Sequence, residues 1–256
     1  MNRRINAILA AALLAPTFSW AACDVRSGQK TAALVELYTS EGCSSCPPAD
    51  KRLSQFPSAE YGFAQVVPIS LHVDYWDYIG WKEPFAQPQF SERQSWLAHA
   101  NGHKTVYTPH FFVSGTEVRD WHEHLGDELK RVNAQPARAS VGVHAELTGA
   151  GTVLVAASAS APSSSGPLAL FVAVTEDKLT SSVSAGENRG VTLSHEHVVR
   201  QWLGPIALNA GHVDFKQTVT DRSSWNSGQL GIAGFVQDLQ TGQVLQAVGA
   251  SQCLRS

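Results

Sequence analysis

The strongest constraint on the fold is a Cys-x-x-Cys motif that lies between an apolar run and a helical segment within residues 31–56. The run 32–38 is short and bulky, which predicts a buried strand. A turn then leads to Cys43 and Cys46. The prolines that follow, 47–48, are tolerated by a helix only in its first turn, where their missing N–H groups would have no partner. We therefore predict a strand, a short loop, the two cysteines and a helix.

This order places Cys43 at the N-terminus of the predicted helix. Unpaired N–H groups and the helix dipole stabilise an anion there, so Cys43 is expected to be the more acidic thiol. Cys46 lies one turn further along and is expected to be more deeply buried. Such a pair exchanges disulfides when Cys43 attacks a partner and Cys46 resolves the mixed disulfide. A small structural disulfide, or half of a zinc site, is the alternative that the motif leaves open.

The N-terminal residues 1–21 have the pattern of a signal peptide. Two arginines at the start precede an apolar core at 5–14, and Ser19 and Ala21 are small residues at the positions that a signal peptidase reads. The core is too short to span a bilayer, and no later apolar run reaches the roughly 20 residues that a span needs. The protein is therefore predicted to be periplasmic or secreted, with lipid attachment at Cys23 as a rival interpretation.

Charge and cysteine content narrow the possible functions further. The net charge is −3, and both signs are mixed along the chain without a basic stripe, so neither nucleic acid nor an anionic membrane surface is an expected partner. Four cysteines in an exported protein favour disulfides. If Cys43 pairs with Cys46, then Cys23 and Cys253 remain. A bond between these two would close nearly the whole chain and would be structural, with a chain-entropy contribution of roughly 5 kcal/mol.

The chain after the first helix continues the alternation of strands and helices. Residues 63–73 are apolar and predict a second buried strand, and an aromatic loop follows at 74–85. Trp76 and Trp81 in this loop are candidates for binding an extended peptide near the thiols, although they could equally pack beneath a long loop. A capping-box spacing predicts a helix over 91–101.

Thr108 and Pro109 lead into a strand of Phe and Val that ends at a Ser-Gly turn. The order of strand, Cys-x-x-Cys, helix, strand, helix, Thr-Pro and strand resembles the thioredoxin superfamily over about residues 30–132. Two strings, ELYTSEGCSSCPPAD and HVDYWDYIGWKEPF, resemble a secreted bacterial thioredoxin-like family known only as a domain of unknown function. The resemblance implies that Pro109 is cis and faces the disulfide, and that the Thr108 backbone pairs with a substrate.

The match to ordinary thioredoxins is incomplete at two places. Ser44 and Ser45 replace the usual Gly-Pro pair, which leaves the direction of exchange open. Glu36 stands about where thioredoxins carry a buried acid, but it precedes Cys43 by one residue more. A carboxylate inside an apolar strand is expected to have a raised pKa, so Glu36 could deprotonate Cys46. The alternative is a strand-edge carboxylate that is bonded to nearby backbone.

Beyond a helix predicted at 121–132 and a linker at 133–138, the apolar pattern changes to period two and β-branched residues become more frequent. Seven short strands in about 110 residues predict a β-sandwich over 139–250. The strands are predicted near 139–147, 151–158, 167–175, 191–200, 212–220, 229–237 and 243–248. A long loop, 180–190, separates the third strand from the fourth.

Several histidines are candidate metal ligands. His195 and His197 would share one face of a strand, and four others, His72, His99, His103 and His110, lie in the first domain. One of them together with the two thiols could complete a copper or zinc site. No helical pair or second Cys-x-x-Cys supports this, so each histidine is expected to be a surface or capping residue and no metal site is assigned.

We therefore predict an α/β fold in which a thioredoxin-like domain (30–132) is followed by an all-β, sandwich-like domain (139–250). The expected function is thiol–disulfide exchange with exported protein thiols or disulfides, without a cofactor. Two alternatives stay open. The thiols could bind or deliver copper or zinc, or the protein could be an interaction module whose disulfide is only structural.

Overall fold

The computed structural model describes residues 22–149, 151–162, 166–220 and 224–254. The predicted signal peptide, 1–21, lies outside these ranges. None of the helices in the described part of the chain combines the length and the apolar character that crossing a bilayer requires.

The described part of the protein is mostly β, with 44% strand and 17% helix. Three α-helices are found in the described ranges: α1 (Pro47–Leu53), α2 (Pro88–Ala100) and α3 (Trp121–Asn133). The strands are β1 (Ala22–Arg26), β2 (Ala33–Thr39), β3 (Val66–His72), β4 (His110–Val113), β5 (Thr116–Val118), β6 (Ser140–Gly149), β7 (Thr152–Ser160), β8 (Leu168–Glu176), β9 (Leu179–Ser182), β10 (Thr192–His195), β11 (Val198–Ala207), β12 (His212–Val219), β13 (Leu230–Asp238) and β14 (Val244–Ala250).

The largest sheet has eight strands in the order β14-β13-β8-β11-β3-β2-β4-β5. Strands from before and after the predicted linker therefore belong to one sheet. They meet where β11 runs parallel to β3, with Val198 opposite Ser70, and the Ser70 N–H donates to the His197 carbonyl oxygen at 2.8 Å. The predicted fold class, a thioredoxin-like α/β domain followed by a separate all-β domain, is wrong, because the chain forms large sheets that both halves build. The boundaries at 30–132 and 139–250 stay a prediction.

A second sheet of four antiparallel strands, β1-β6-β7-β12, covers one end of the large sheet. Side chains of β6 and β7 alternate between buried and partly exposed, as expected for a sheet with one face in the core. Their inward residues, such as Val143 and Val155, pack with Leu170, Val172 and Ile232 of the large sheet. The two sheets thus enclose an apolar layer to which the N-terminal strand β1 also contributes.

Helices cover both faces of the other end of the large sheet. On β2, Val35 and Leu37 face the side on which α1 and α3 pack. Leu34 and Tyr38 face the opposite side, where α2 packs. This alternation follows from the two-residue period of a strand, and it decides which β2 side chains lie on the same side as α1.

One of the predicted strands is divided into two. The expected strand over 191–200 is β10 and β11, separated at His197, whose φ of 58° is left-handed and breaks the extended backbone. β10 pairs with β9 in a two-stranded sheet of its own, and β11 enters the eight-stranded sheet. The break therefore directs His195 and His197 to different surroundings.

Candidate functional site

Cys43 and Cys46 form a disulfide in the turn between β2 and α1, with their Cα atoms 5.5 Å apart. The Cys46 N–H donates to the Cys43 carbonyl oxygen at 3.2 Å. The helix begins at Pro47, so its N-cap is Cys46 and not Cys43. Cys43 lies three residues before the cap, further from the helix end than the sequence predicted.

The two prolines at the start of α1 limit how far the helix N–H groups can stabilise a thiolate on Cys43. Pro47 and Pro48 carry no N–H group, so the first turn offers fewer donors than an ordinary helix. The donor that does approach the sulfur is the Ser45 hydroxyl, whose Oγ lies 3.3 Å from Cys43 Sγ. A hydrogen bond to the anionic form lowers the pKa of a thiol, so Ser45 is the residue positioned for that role.

Thr108 lies directly against the disulfide. Its carbonyl oxygen is 3.8 Å from Cys43 Sγ and 3.5 Å from Ser45 Oγ, and the Thr108–Pro109 peptide bond is cis. Cys43 exposes 1% of its surface and Cys46 0%, whereas Ser44 and Ser45 between them are exposed. The sulfurs are therefore covered, beneath a surface formed by polar residues.

The aromatic loop borders this surface through Trp76 and Tyr78. Trp76 donates from Nε1 to Thr108 Oγ1 at 2.7 Å, and its ring stacks with Tyr78 at 6.3 Å between centroids. Tyr78 is 81% exposed, which is unusual for so large a side chain. Trp81 instead donates to Glu41 Oε2 at 3.0 Å and holds the turn that precedes Cys43. Of the two predicted tryptophans, only Trp76 contacts Thr108.

A loop from the second half of the chain completes the site, and sequence reasoning missed it. Asn188 donates from Nδ2 to the carbonyl oxygens of Glu41 (2.8 Å) and Cys43 (2.9 Å). Glu187 accepts from the Ser44 N–H at 2.9 Å and from the Ser44 hydroxyl at 2.7 Å. The sequence describes this segment only as a long polar loop, and no spacing rule connects it with cysteines more than 140 residues earlier.

The close approach of that loop depends on a glycine. Gly186 has a φ of 77°, and a Cβ placed there would lie 3.2 Å from Ile79 Cδ1 and 3.3 Å from Gly42 Cα. The aromatic loop and the turn before Cys43 therefore leave room for backbone only. This contact fixes Glu187 beside the Cys-Ser-Ser-Cys segment.

Two buried acid–histidine pairs lie behind the turn. His195 Nε2 is 2.9 Å from Glu41 Oε1, and His72 Nδ1 is 3.0 Å from Glu83 Oε1. Burial alone would raise the pKa of Glu41, but hydrogen bonds from His195 and Ser181 hold it below its usual value. The expectation that each histidine is a surface or capping residue is wrong for four of them, because each is buried against a carboxylate: His72, His110, His195 and His197.

Asp50 is a further residue that the sequence did not single out. It lies in α1 four residues after Cys46, so the two side chains share a helix face. The Thr39 hydroxyl donates to Asp50 Oδ2 at 3.0 Å. Burial raises the pKa of Asp50 to about 7, and the negative charges of Glu83 and Glu41 act in the same direction. A carboxyl that titrates near neutrality can exchange protons at physiological pH.

Glu36, the predicted proton acceptor, is occupied elsewhere. It forms a bidentate ion pair with Arg93 of α2, at 2.7 and 2.9 Å, and accepts from Tyr38 Oη at 2.9 Å. It alternates with Val35 and Leu37, so it lies on the α2 side of the sheet, and α1 packs on the other side. The structure therefore does not bring Glu36 together with the two cysteines.

The remaining cysteines and the potential metal ligands lie apart from this site. Cys23 in β1 is bonded to Cys253, 230 residues later, with a Cα separation of 5.2 Å. In the described ranges, the cluster of three side chains spaced to share a metal ion is Asp120, Glu123 and His124, all exposed, and it includes neither Cys43 nor Cys46.

Comparison with known proteins adds a family and a shared architecture. A family described as "Protein of unknown function (DUF1223)" matches residues 34–237. No curated protein gives a significant sequence match. HBP35 of Porphyromonas gingivalis is 17% identical, with a TM-score of 0.66 over 88% of this chain and 76% of that one. The crystal structure of protein AGR_C_4864 from Agrobacterium tumefaciens is 26% identical, with a TM-score of 0.57 over 90% of this chain and 98% of that one.

Proposed function

The chain belongs to the family of proteins of unknown function called DUF1223, and within that family we propose that it is an exported thiol–disulfide oxidoreductase. The redox centre is the Cys43–Cys46 pair, and the partners are exported proteins that carry thiols or disulfides. The observation that carries the proposal is the 3.8 Å approach of the Thr108 carbonyl oxygen to Cys43 Sγ. A backbone carbonyl beside the sulfur can pair with an extended peptide whose own cysteine approaches Cys43 Sγ.

We propose that the site is similar to that of thioredoxin-like proteins, and this proposal concerns the site and not the fold. In that superfamily a Cys-x-x-Cys segment faces a cis-proline, and here Pro109 follows Thr108 in the same way. The Cys-Ser-Ser-Cys segment and the Thr108 carbonyl therefore supply the parts that exchange needs. The remainder of the chain supplies loops, chiefly the one that carries Glu187 and Asn188, that hold these parts together.

Exchange proceeds in two balanced steps. A thiolate of the partner attacks Cys43 Sγ, a new S–S bond forms, and the Cys43–Cys46 bond breaks so that Cys46 leaves as a thiolate and takes up a proton. A second partner thiolate then attacks the partner sulfur of the mixed disulfide and releases Cys43. The partner is oxidised by two electrons, Cys43 and Cys46 are reduced, and the reverse sequence reduces a partner disulfide. In this scheme Asp50, and not Glu36, is the carboxyl that exchanges a proton with Cys46.

The proposed setting is an oxidising compartment outside the cytoplasm. Disulfides form and persist there, and both cysteine pairs of this chain are bonded. The predicted signal peptide would direct the chain to the periplasm or beyond.

The test is to trap the mixed disulfide with glutathione disulfide as the probe. We expect Cys46→Ser to accumulate one glutathionyl group on Cys43, because the resolving thiol is missing, and Cys43→Ser to accumulate far less. Intact-mass measurement under non-reducing conditions gives the occupancy, and peptide mapping gives the site. If neither variant is trapped while both remain folded by circular dichroism, the proposal is wrong.

The burial of both sulfurs favours one alternative, a purely structural disulfide. The reduction potential separates the two functions. A structural bond in a secreted protein has a potential below about −300 mV, whereas an exchanging bond is nearer the potential of its compartment. Equilibration of the folded protein with dithiothreitol, followed by alkylation and peptide mapping, measures the Cys43–Cys46 bond separately from the Cys23–Cys253 bond.

A further inference from the structure

Glu187 is an acidic side chain that the exchange scheme does not use, although it is hydrogen-bonded to the segment between the cysteines. Its carboxylate accepts two hydrogen bonds from Ser44, the residue that follows Cys43. Glu187 is exposed, and the ion pairs found among the described residues do not include it. The Glu187 carboxylate therefore gives the site a negative charge. The N–H and hydroxyl of Ser44 orient this carboxylate, and no described cation forms a salt bridge with it.

This charge acts on the reacting sulfur at short range. The carboxylate is 2.9 Å from the Ser44 nitrogen, and four covalent bonds separate that nitrogen from Cys43 Sγ. The whole path is shorter than the Debye length of about 10 Å at 0.1 M salt, so solvent ions screen the interaction only in part. A charged group carried by an incoming thiol must pass through the field of Glu187 as its sulfur approaches Cys43.

The adjacent aromatic surface favours the same sign of charge. Tyr78 is 81% exposed and stacks on Trp76, which is hydrogen-bonded to Thr108. The face of an exposed tyrosine attracts ammonium and guanidinium groups. A carboxylate and an open aromatic ring on the border of one site form a surface that suits a cation and repels an anion.

We propose that Glu187 makes the Cys43–Cys46 site selective for partner thiols that carry positive charge beside the reacting sulfur, such as a cysteine flanked by lysine or arginine. The inference rests on the proposed exchange function and adds the substrate class. Glu187 acts by attracting the partner and takes no part in bond making. The reaction is the same attack on Cys43 Sγ, with Cys46 leaving as a thiolate.

The experiment uses three matched thiols, HS–CH₂–CH₂–X, in which X is an ammonium (cysteamine), a hydroxyl (2-mercaptoethanol) or a sulfonate (2-mercaptoethanesulfonate). The rate at which each reduces Cys43–Cys46 is measured in the full oxidised chain and in Glu187→Gln, by alkylation and peptide mapping. For each reagent, the wild-type rate is divided by the Glu187→Gln rate. This ratio cancels the intrinsic reactivity of the thiol, so it reports only the effect of the Glu187 charge on that reagent.

Each reagent attacks as a thiolate, and Glu187 repels this negative charge on sulfur equally in all three. At low salt we expect the wild-type to Glu187→Gln rate ratio for cysteamine to be about threefold higher than that for 2-mercaptoethanol, and the ratio for the sulfonate to be about threefold lower. Salt at 1 M should bring all three ratios towards one. In Glu187→Lys the preference should be inverted. The control is Glu146→Gln, an identical change of charge in β6 of the four-stranded sheet, for which all three ratios should equal one.

The outcomes separate the inference from the function on which it rests. If 2-mercaptoethanol reduces the bond and the three ratios in Glu187→Gln are equal, charge selection is wrong and the exchange function stands. If 2-mercaptoethanol fails to reduce Cys43–Cys46 in the folded wild type, both the function and the inference are wrong.

Discussion

The two disulfides of this protein differ in burial as well as in sequence span and surroundings. Cys23, Cys43 and Cys46 are buried, whereas Cys253 is only partly buried. Cys23–Cys253 joins residues 230 positions apart, and Cys43–Cys46 joins residues three apart. The first lies at the edge of the apolar layer between the two sheets. The second is surrounded by hydroxyls, a backbone carbonyl and carboxylates. The bond that we propose to exchange is therefore the more deeply buried of the two, so burial is not the feature that separates the two proposed roles.

Loop length and surroundings are the features on which we base the proposed distinction. In the chain-entropy treatment, closing a loop of about 230 residues contributes about 5 kcal/mol to stability, and closing a loop of about four contributes about 2 kcal/mol. A bond that stabilises strongly in an apolar place is suited to a permanent role. A bond that stabilises little, beside groups that move protons and bind thiolates, is suited to being opened and closed.

The largest expected effect would come from removing the long-range bond. Cys23→Ser combined with Cys253→Ser should lower the free energy of unfolding by about 5 kcal/mol, because the denatured chain regains the freedom of a loop that spans nearly the whole sequence. Urea titration followed by circular dichroism gives the value. Cys43→Ser combined with Cys46→Ser is the matched control and should lose about 2 kcal/mol. Equal losses in the two double variants would contradict the comparison.

A smaller and pH-dependent effect is expected at Asp50. Its pKa is raised from 3.8 to about 7 in the folded protein, so the folded state holds a proton that the unfolded chain has lost, and stability falls as the pH rises through this window. Asp50→Asn cannot ionise and should escape the loss. The stability of the variant relative to the wild type should therefore increase between pH 4 and pH 7, by about 4 kcal/mol at most.

The pH series needs a control that changes the same charge at an exposed position. Glu92→Gln on the exposed side of α2 serves, and its stability difference from the wild type should vary little over the same range. A flat difference for Asp50→Asn would mean that folding does not raise the pKa of Asp50. The region around Cys43–Cys46 would then lack the buried acid that distinguishes it from the Cys23–Cys253 region.

The smallest expected effect concerns the Ser45 hydroxyl. Ser45→Ala removes the donor 3.3 Å from Cys43 Sγ, which should raise the pKa of the reduced Cys43 thiol by up to about one unit. The rate of alkylation by iodoacetamide as a function of pH reports that pKa. Ser54→Ala at the far end of α1 removes a hydroxyl bonded to the Lys51 carbonyl oxygen and should leave the profile unchanged. An unchanged profile in Ser45→Ala would show that another group stabilises the thiolate.

Local features of the fold could be predicted from the sequence because they depend on neighbouring residues. The strand before the cysteines follows from a bulky apolar run, and the start of α1 at Pro47 follows from the geometry of proline. The period-two pattern after residue 139 likewise predicts strands. These signals need no knowledge of the rest of the chain.

The errors concern contacts between distant residues. Period two separates Glu36 from Val35 and Leu37, but only the packed structure shows that α1 lies on the other side of the sheet from Glu36. The pairing of β11 with β3, which overturns the predicted fold class, joins segments more than 120 residues apart. Glu187 and Asn188 reach the cysteines over a similar distance in sequence, and their side chains give no sign of it in an ordinary polar loop.

The 5.2 Å separation of the Cys23 and Cys253 Cα atoms has a mechanical consequence. A pulling force applied to the chain on the outer sides of these two residues would pass through the covalent S–S bond. The hydrogen bonds of the two sheets would carry none of that load, so the fold could not be unravelled from its ends while the bond is intact. Threading through a narrow pore would require this bond to be reduced first, whatever the state of Cys43–Cys46.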